Sequence, residues 1–268
     1  MKTHIKFILV GLILISCSTG KLKVLADIPT SLKETSAIEK TNDSNTLWLI
    51  QDAGNNNHLY GLNLKGQVIK DITVKNAKNT DWEDLTSDFE GNIYIGDFGN
   101  NSKKRTNFTI YKVPNAENAT SSTEASLIEF TLPEDMDSVD FESFFLYNGF
   151  FYIFSKDNKE CELIKVPNKT GLHVATYISK TKLNDKRTKV TSADISDDGK
   201  TVVLLNHDKL WKLTNYTNDD FFSVTFEVLK FEHDSQKEGV NLINKKQVLI
   251  TDELKKSEGG NIYRFNFK

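Results

Sequence analysis

The sequence predicts an all-β protein made of a four-stranded unit repeated about a common axis. Three observations carry that prediction. Helical periodicity is nearly absent: short apolar or alternating runs of five to eight residues are punctuated by Gly, Asn, Asp and Lys. One unit recurs, with apolar anchors Ile38, Leu85, Phe144, Ile195 and Val240 spaced 47, 59, 51 and 45 residues apart. Polar residues then keep a fixed offset: Asp97, Lys156, His207 and Asp252 follow the last four anchors by twelve residues, and Asp52 follows the first by fourteen. Four-stranded repeats of about 40–60 residues are the pattern of a β-propeller.

Taken in order, the first unit reads as strands Thr35–Glu39, Leu47–Gln51, Leu59–Leu64 and Val68–Val74. The second reads Trp82–Thr86, Ile93–Asp97, Phe108–Val113 and Leu127–Leu132, with the Asn-, Ser- and Thr-rich stretch Asn115–Ser126 as a loop insertion. The third reads Phe141–Leu146, Phe150–Phe154, Cys161–Val166 and Val174–Ser179; the fourth, Ser192–Ser196, Thr201–Leu205, Lys209–Leu213 and Val224–Phe231. The fifth supplies three strands, Gly239–Ile243, Gln247–Thr251 and Asn261–Asn266. The apolar segment Leu22–Ile28 is the missing strand, and pairing it with the last unit closes the ring and removes an exposed edge. The expectation is five blades, with six as the alternative if the Asn115–Asp137 region hides a degenerate copy. A two-sheet sandwich explains neither the fixed offset nor the orphan first strand.

The chain start reads as a bacterial lipoprotein leader. Lys2, His4 and Lys6 precede the apolar run Phe7–Ile15, too short to span a bilayer as a helix. Leu14-Ile15-Ser16-Cys17 resembles a lipobox, so residues 1–16 are the expected signal peptide. Residues 17–21 are then the lipidated Cys17 and a short tether, and residues 22–268 one propeller domain. An ordinary signal peptide or a buried helix is the competing reading. The lipoprotein reading puts the protein in the cell envelope, anchored to the outer membrane through Cys17 and facing the periplasm or the exterior, as a monomer. Cys161 is then the one remaining thiol, so stability comes from packing rather than a disulfide. The whole chain carries 34 basic and 37 acidic residues, a net charge of −3, and loss of Lys2 and Lys6 brings it to −5. With no long basic run, nucleic acid is excluded as a partner.

The propeller pattern also gathers acids. Two residues before the anchors stand Ser36, Glu83, Glu142, Ala193 and Glu238; four before stand Glu34, Asp81, Asp140, Thr191 and Gln236. Alternation with period two gives both positions the anchor's direction, and the first strand of each blade lies on the axis. Carboxylates held that close raise one another's pKa or require a cation. Oxygen donors without thiols or clustered histidines suit calcium, with Glu34, Glu83, Glu142 and Glu238 as expected ligands. The alternative is structural: each Glu accepts backbone N–H groups from the adjacent blade. Asp84 and Asp194, one residue before their anchors, are expected to point the other way and to be turn or packing residues.

The corner loops Asp52-Ala53-Gly54-Asn55-Asn56 and Asp97-Phe98-Gly99-Asn100-Asn101 repeat D-x-G-N-N, which serves a tight turn or supplies ligand oxygens. Candidate ligand-binding residues are Asp52, Asp97, Asn100, Arg105, Lys156, His207 and Asp252, the partner being an unidentified ligand or protein. No G-x-S-x-G, H-E-x-x-H, P-loop, dinucleotide fingerprint or C-x-x-C is present, and no catalytic residue is named.

The run Asp81-Trp82-Glu83-Asp84-Leu85 through Gly96-Asp97-Phe98-Gly99-Asn100-Asn101, with Arg105 and Ile110-Tyr111-Lys112-Val113-Pro114, resembles a family of secreted bacterial propellers. These are the groups labelled phytase-like, esterase-like or SdiA-regulated. The likeness continues through Thr191–Ser196 and Glu238-Gly239-Val240. It implies a propeller that binds calcium near Glu83 and its counterparts, and, as an alternative activity, calcium-dependent hydrolysis of phosphoesters or lactones.

Overall fold

A computed structural model describes residues 19–41, 44–183 and 186–267; the expected signal peptide and Cys17 lie outside these. The sequence's alternation appears as strands β1 (Lys23–Asp27), β2 (Thr35–Glu39), β3 (Leu47–Gln51), β4 (His58–Leu62), β5 (Val68–Val74), β6 (Trp82–Ser87), β7 (Ile93–Asp97) and β8 (Asn107–Val113). There follow β9 (Ser122–Thr123), β10 (Ser126–Thr131), β11 (Phe141–Tyr147), β12 (Phe150–Ser155), β13 (Cys161–Pro167), β14 (Gly171–Val174) and β15 (Thr176–Thr181). The last are β16 (Ser192–Ile195), β17 (Thr201–Asn206), β18 (Lys209–Thr214), β19 (Glu227–Lys230), β20 (Lys237–Asn244), β21 (Gln247–Asp252) and β22 (Asn261–Asn266). No helix of the described residues is long and apolar enough to cross a membrane.

These strands form five antiparallel blades, β2-β3-β4-β5, β6-β7-β8-β10, β11-β12-β13-β15, β16-β17-β18-β19 and β20-β21-β22-β1. Their first strands touch in a closed circle, β2 to β6, β11, β16, β20 and back to β2. The protein is a five-bladed β-propeller. The orphan first strand does close it: β1 pairs antiparallel with β22. No sixth blade lies in the Asn115–Asp137 region, which contributes β10 to the second blade.

Five apolar layers fill the five blade junctions. One holds Trp48, Ile50, Trp82 and Ile95 between the first two blades; another stacks Phe98, Phe108, Phe141 and Phe144 between the second and third. The remaining three repeat the arrangement, ending with Leu32, Ile38, Leu249 and Ile262 where the fifth blade meets the first. Burying each such side chain contributes about 1.5–3 kcal/mol. This is why the blades are written as apolar runs: both faces of every sheet are covered. At the closing junction, a Cβ on Gly239 would stand 2.6 Å from the backbone nitrogen of Ile38, so only glycine lets β20 approach β2.

Two short parallel strands were not foreseen. β9 adds to the outer strand of the first blade, pairing with β5, and β14 adds to β10 of the second. The outer connections of the second and third blades thereby clasp the blade before each of them. Lys70 fastens the first clasp by donating to the carbonyls of Glu117 and Ala119 at 2.8 and 2.9 Å.

Candidate metal and ligand site

A β-bulge builds the acid-bearing mouth. Trp82 pairs with Asp97 and Asp84 with Gly96, which leaves Glu83 as the extra residue. The same shift isolates Ser36, Glu142 and Glu238 in β2, β11 and β20. A bulge bends its strand and re-aims the extra side chain. The fourth blade pairs without a shift and carries Ala193 at that place. The bulges also break the period-two rule, so Glu83 and Asp84 both face the ring's interior although they are neighbours in sequence.

The two residues have different partners. Asp84 is fully buried and accepts from the backbone N–H groups of Leu85, Phe144 and Ala193 and from the Ser192 hydroxyl, at 2.9–3.2 Å. Ser192 Oγ in turn accepts the Val240 N–H at 3.0 Å. One carboxyl thus ties the second, third and fourth blades, and one hydroxyl extends the tie to the fifth. Asp194 accepts from Leu242 N–H at 2.6 Å, also across a blade junction. The inter-blade role that the sequence left open for the glutamates is held by these aspartates.

Glu83, Glu142 and Glu238 are buried, and the partners they display are side chains. Glu142 pairs with Lys156 Nζ at 2.6 Å, and Glu238 lies 3.3 Å from His207 Nε2. Glu83 faces the Glu142 carboxyl; burial, then the charges of Glu142, Asp52 and Asp81, hold its pKa well above the carboxylate range. Burial also works against the Lys156 ammonium, but Glu238 and Glu142 outweigh it and raise its pKa. Burial raises Glu142 to about 8, with Lys156 pulling it down and Glu238 and Asp140 pushing it up, so Glu83 and Glu142 both hold a proton far more tightly than an ordinary carboxyl.

Beside Glu83, carboxylate oxygens of Asp52, Asp81 and Glu83 lie within 4.8 Å of one another. Burial, then Asp52 and Asp140, push Asp81 up to about 6. Glu253 joins the same rim, pushed up to about 7 by burial and by Glu238 and Asp52. Gly99 makes room for the trio, since any Cβ there would overlap the Glu83 and Asp81 carboxyls. A set of three carboxylates, acceptor-only when ionised and with the Ala53 N–H on Asp52, fits a hard divalent cation such as calcium.

Of the residues read from sequence, Asp52, Glu83, Glu142, Lys156, His207 and Glu238 converge here. Glu34 is apart, bonded to Asn55 at 2.8 Å and Lys33 at 3.4 Å. Arg105 is spent on Asp97 at 3.0 Å and on the Gly99 and Asp97 carbonyls. Asn100 clips its loop to the third blade through Val139 O, Ser138 Oγ and, by its N–H, Asp140. Asp252 is buried under Tyr263 Oη and Asn261 N–H. The D-x-G-N-N resemblance between the two loops therefore hides a difference: Asp52 faces the trio, Asp97 holds its own loop. Asp81 was legible as an axial acid, whereas Glu253, next to the offset position Asp252, had no repeat signal to mark it.

No family model matches the chain, and no curated protein matches its sequence. Solved structures do. The chain is similar to the PQQ-bound aldose sugar dehydrogenase from Streptomyces coelicolor, with a TM-score of 0.54 and 8% identity over 92% of this chain and 98% of that one. It is also similar to a chain of a nidogen/laminin complex, with a TM-score of 0.52 and 10% identity over 82% of this chain and 73% of that one. Both are β-propellers, and at these identities the likeness concerns the fold.

Proposed function

We propose that the protein is an envelope-anchored lipoprotein propeller that holds a divalent cation, calcium, at the bulge-built mouth and uses the loaded face to engage a ligand or partner protein. One observation carries the reading: the inter-blade hydrogen-bonding role is filled by Asp84 and Asp194, which leaves Glu83, Asp81 and Asp52 gathered with one backbone donor, the Ala53 N–H on Asp52 from its own loop, and none from another blade among the described residues. Buried like charges at such distances are costly unless protonated or matched by a cation. Asp52, Asp81 and Glu83 would supply the ligands, and calcium's tolerance of irregular oxygen sets suits them. The bound cation would reverse the local field and let an otherwise acidic rim meet an anionic group. Arg105 and Lys156 are already paired with Asp97 and Glu142, so neither offers a free cation for a phosphoester.

Membership of the phytase-like, esterase-like or SdiA-regulated propellers, and lipidation at Cys17, belong to the same proposal. Calorimetric titration of chelator-treated protein with calcium tests the cation. Binding with one site per chain, lost in Glu83→Gln, supports it; no heat in the wild type refutes it. A phosphatase and lactonase panel with calcium decides between binding and hydrolysis, since turnover abolished by Glu83→Gln would make the protein an enzyme.

A further inference from the structure

The opposite mouth of the ring is a second, differently built site. There the distal ends of all five first strands line an open cavity of about 390 Å³. Its floor is Glu39, Asn241 and Asp194, all buried. Asn241 Nδ2 donates to Glu39 Oε2 at 3.0 Å and to Asp194 Oδ2 at 3.2 Å, and Ser87 Oγ donates to Glu39 Oε1 at 2.6 Å. Asn241 Oδ1 is buried with no hydrogen-bond partner among the described residues. Leu242, Ile243 and Leu146 form apolar walls, and Phe89 stands 78% exposed at the rim. Lys40 is the one basic residue among the lining, against Glu39, Asp88, Asp194 and Asp197.

We propose that this mouth binds a small primary ammonium compound carrying a short apolar stem. The floor offers two carboxyls and an orphaned amide oxygen, three acceptors for the three N–H donors of an ammonium. An N–H donor between the acids is the arrangement Asn241 already displays. A hard divalent metal would need six or more oxygens, more than the two carboxyls and one amide oxygen of the floor supply. The hydrocarbon stem is met by the aliphatic walls and Phe89, whose ring can lie over a cation as well. A cavity of this size admits a small molecule rather than a protein segment. The acids here have no buried basic partner, in contrast to Glu142 with Lys156. Burial and then the Asp194 charge hold Glu39 well above the usual carboxylate range, and burial with the Asp197 charge holds Asp194 up at about 7, which an arriving cation would relieve.

Calorimetry on the purified protein with n-butylammonium, methylammonium and 1-butanol tests this. Butylammonium should bind and butanol should not, with excess calcium leaving the affinity unchanged. Glu39→Gln should weaken butylammonium at least tenfold. Phe89→Ser, at an exposed position that leaves folding intact, should weaken butylammonium several-fold and methylammonium little. Absence of binding by the wild type, equal affinity in a Glu39→Gln protein of native melting temperature, or displacement of the amine by calcium would each overturn the proposal.

Discussion

Replacing Asp84 by alanine tests how the ring is held. The substitution strips partners from the N–H groups of Phe144 and Ala193 on two other blades, from Leu85 N–H and from the Ser192 hydroxyl. Each buried donor left alone costs about 1–3 kcal/mol, and the two across-blade amides cannot reach water without parting the blades. The expected loss is about 4–6 kcal/mol, a large share of the roughly 5–15 kcal/mol that stabilises a folded chain. Asparagine should cost less, about 1–3 kcal/mol, because one oxygen can still serve Phe144 and Ala193 while Ser192 reorients. Urea denaturation followed by tryptophan fluorescence is the assay, as Trp48, Trp82 and Trp211 are all fully buried at blade junctions. An Asp84→Ala protein within about 1 kcal/mol of wild type, or an Asn variant less stable than the Ala variant, would refute the role.

Three further outcomes follow from the acid mouth. Asp81 at about 6 and Glu253 at about 7 keep protons in the fold that the unfolded chain releases above its ordinary carboxylate pKa. Calcium-free stability should therefore rise as pH falls from 8 to about 5.5, by about 1–2 kcal/mol after screening, and saturating calcium should flatten the trend; thermal melts at both pH values check it. Gly99→Ala should lower calcium affinity at least tenfold, measured by calorimetry, because its Cβ displaces the Glu83 and Asp81 carboxyls. Lys156→Met should destabilise by about 3–5 kcal/mol at pH 9, above the value of about 8 that Glu142 holds beside Lys156, by leaving that carboxylate buried and unpaired, and by less at pH 5.5 where Glu142 is protonated with or without the lysine; denaturant curves at the two pH values separate these.

The architecture was legible because its cause is local and repeated. Both faces of each blade are covered, so the strands are short apolar runs, and the anchor spacing reports one blade per period. The closing strand could be read because Leu22–Ile28 was apolar with no other use. The clasps β9 and β14 could not: Ser122–Thr123 has no apolar pattern, and parallel edge pairing leaves no signature in so short a segment. At the site, the offsets pick out Asp52, Glu83, Glu142, Lys156, His207 and Glu238, which lie at one mouth of the ring. What they could not tell was the bulge, which makes Glu83 and Asp84 share the interior despite period-two alternation. Nor could they tell which acid would be consumed by N–H groups, since Asp84 and Glu83 differ in partners and not in chemistry. The floor acids Glu39 and Asp194 sit one after and one before their anchors, so no common offset linked them.

Crystals grown in calcium, with anomalous diffraction recorded near the calcium signal, address the cation directly. A peak lying about 2.3–2.6 Å from carboxylate oxygens of Asp52, Asp81 and Glu83 is the predicted result. A map with no peak there, and with Glu83 and Glu142 drawn together by a shared proton, would contradict it.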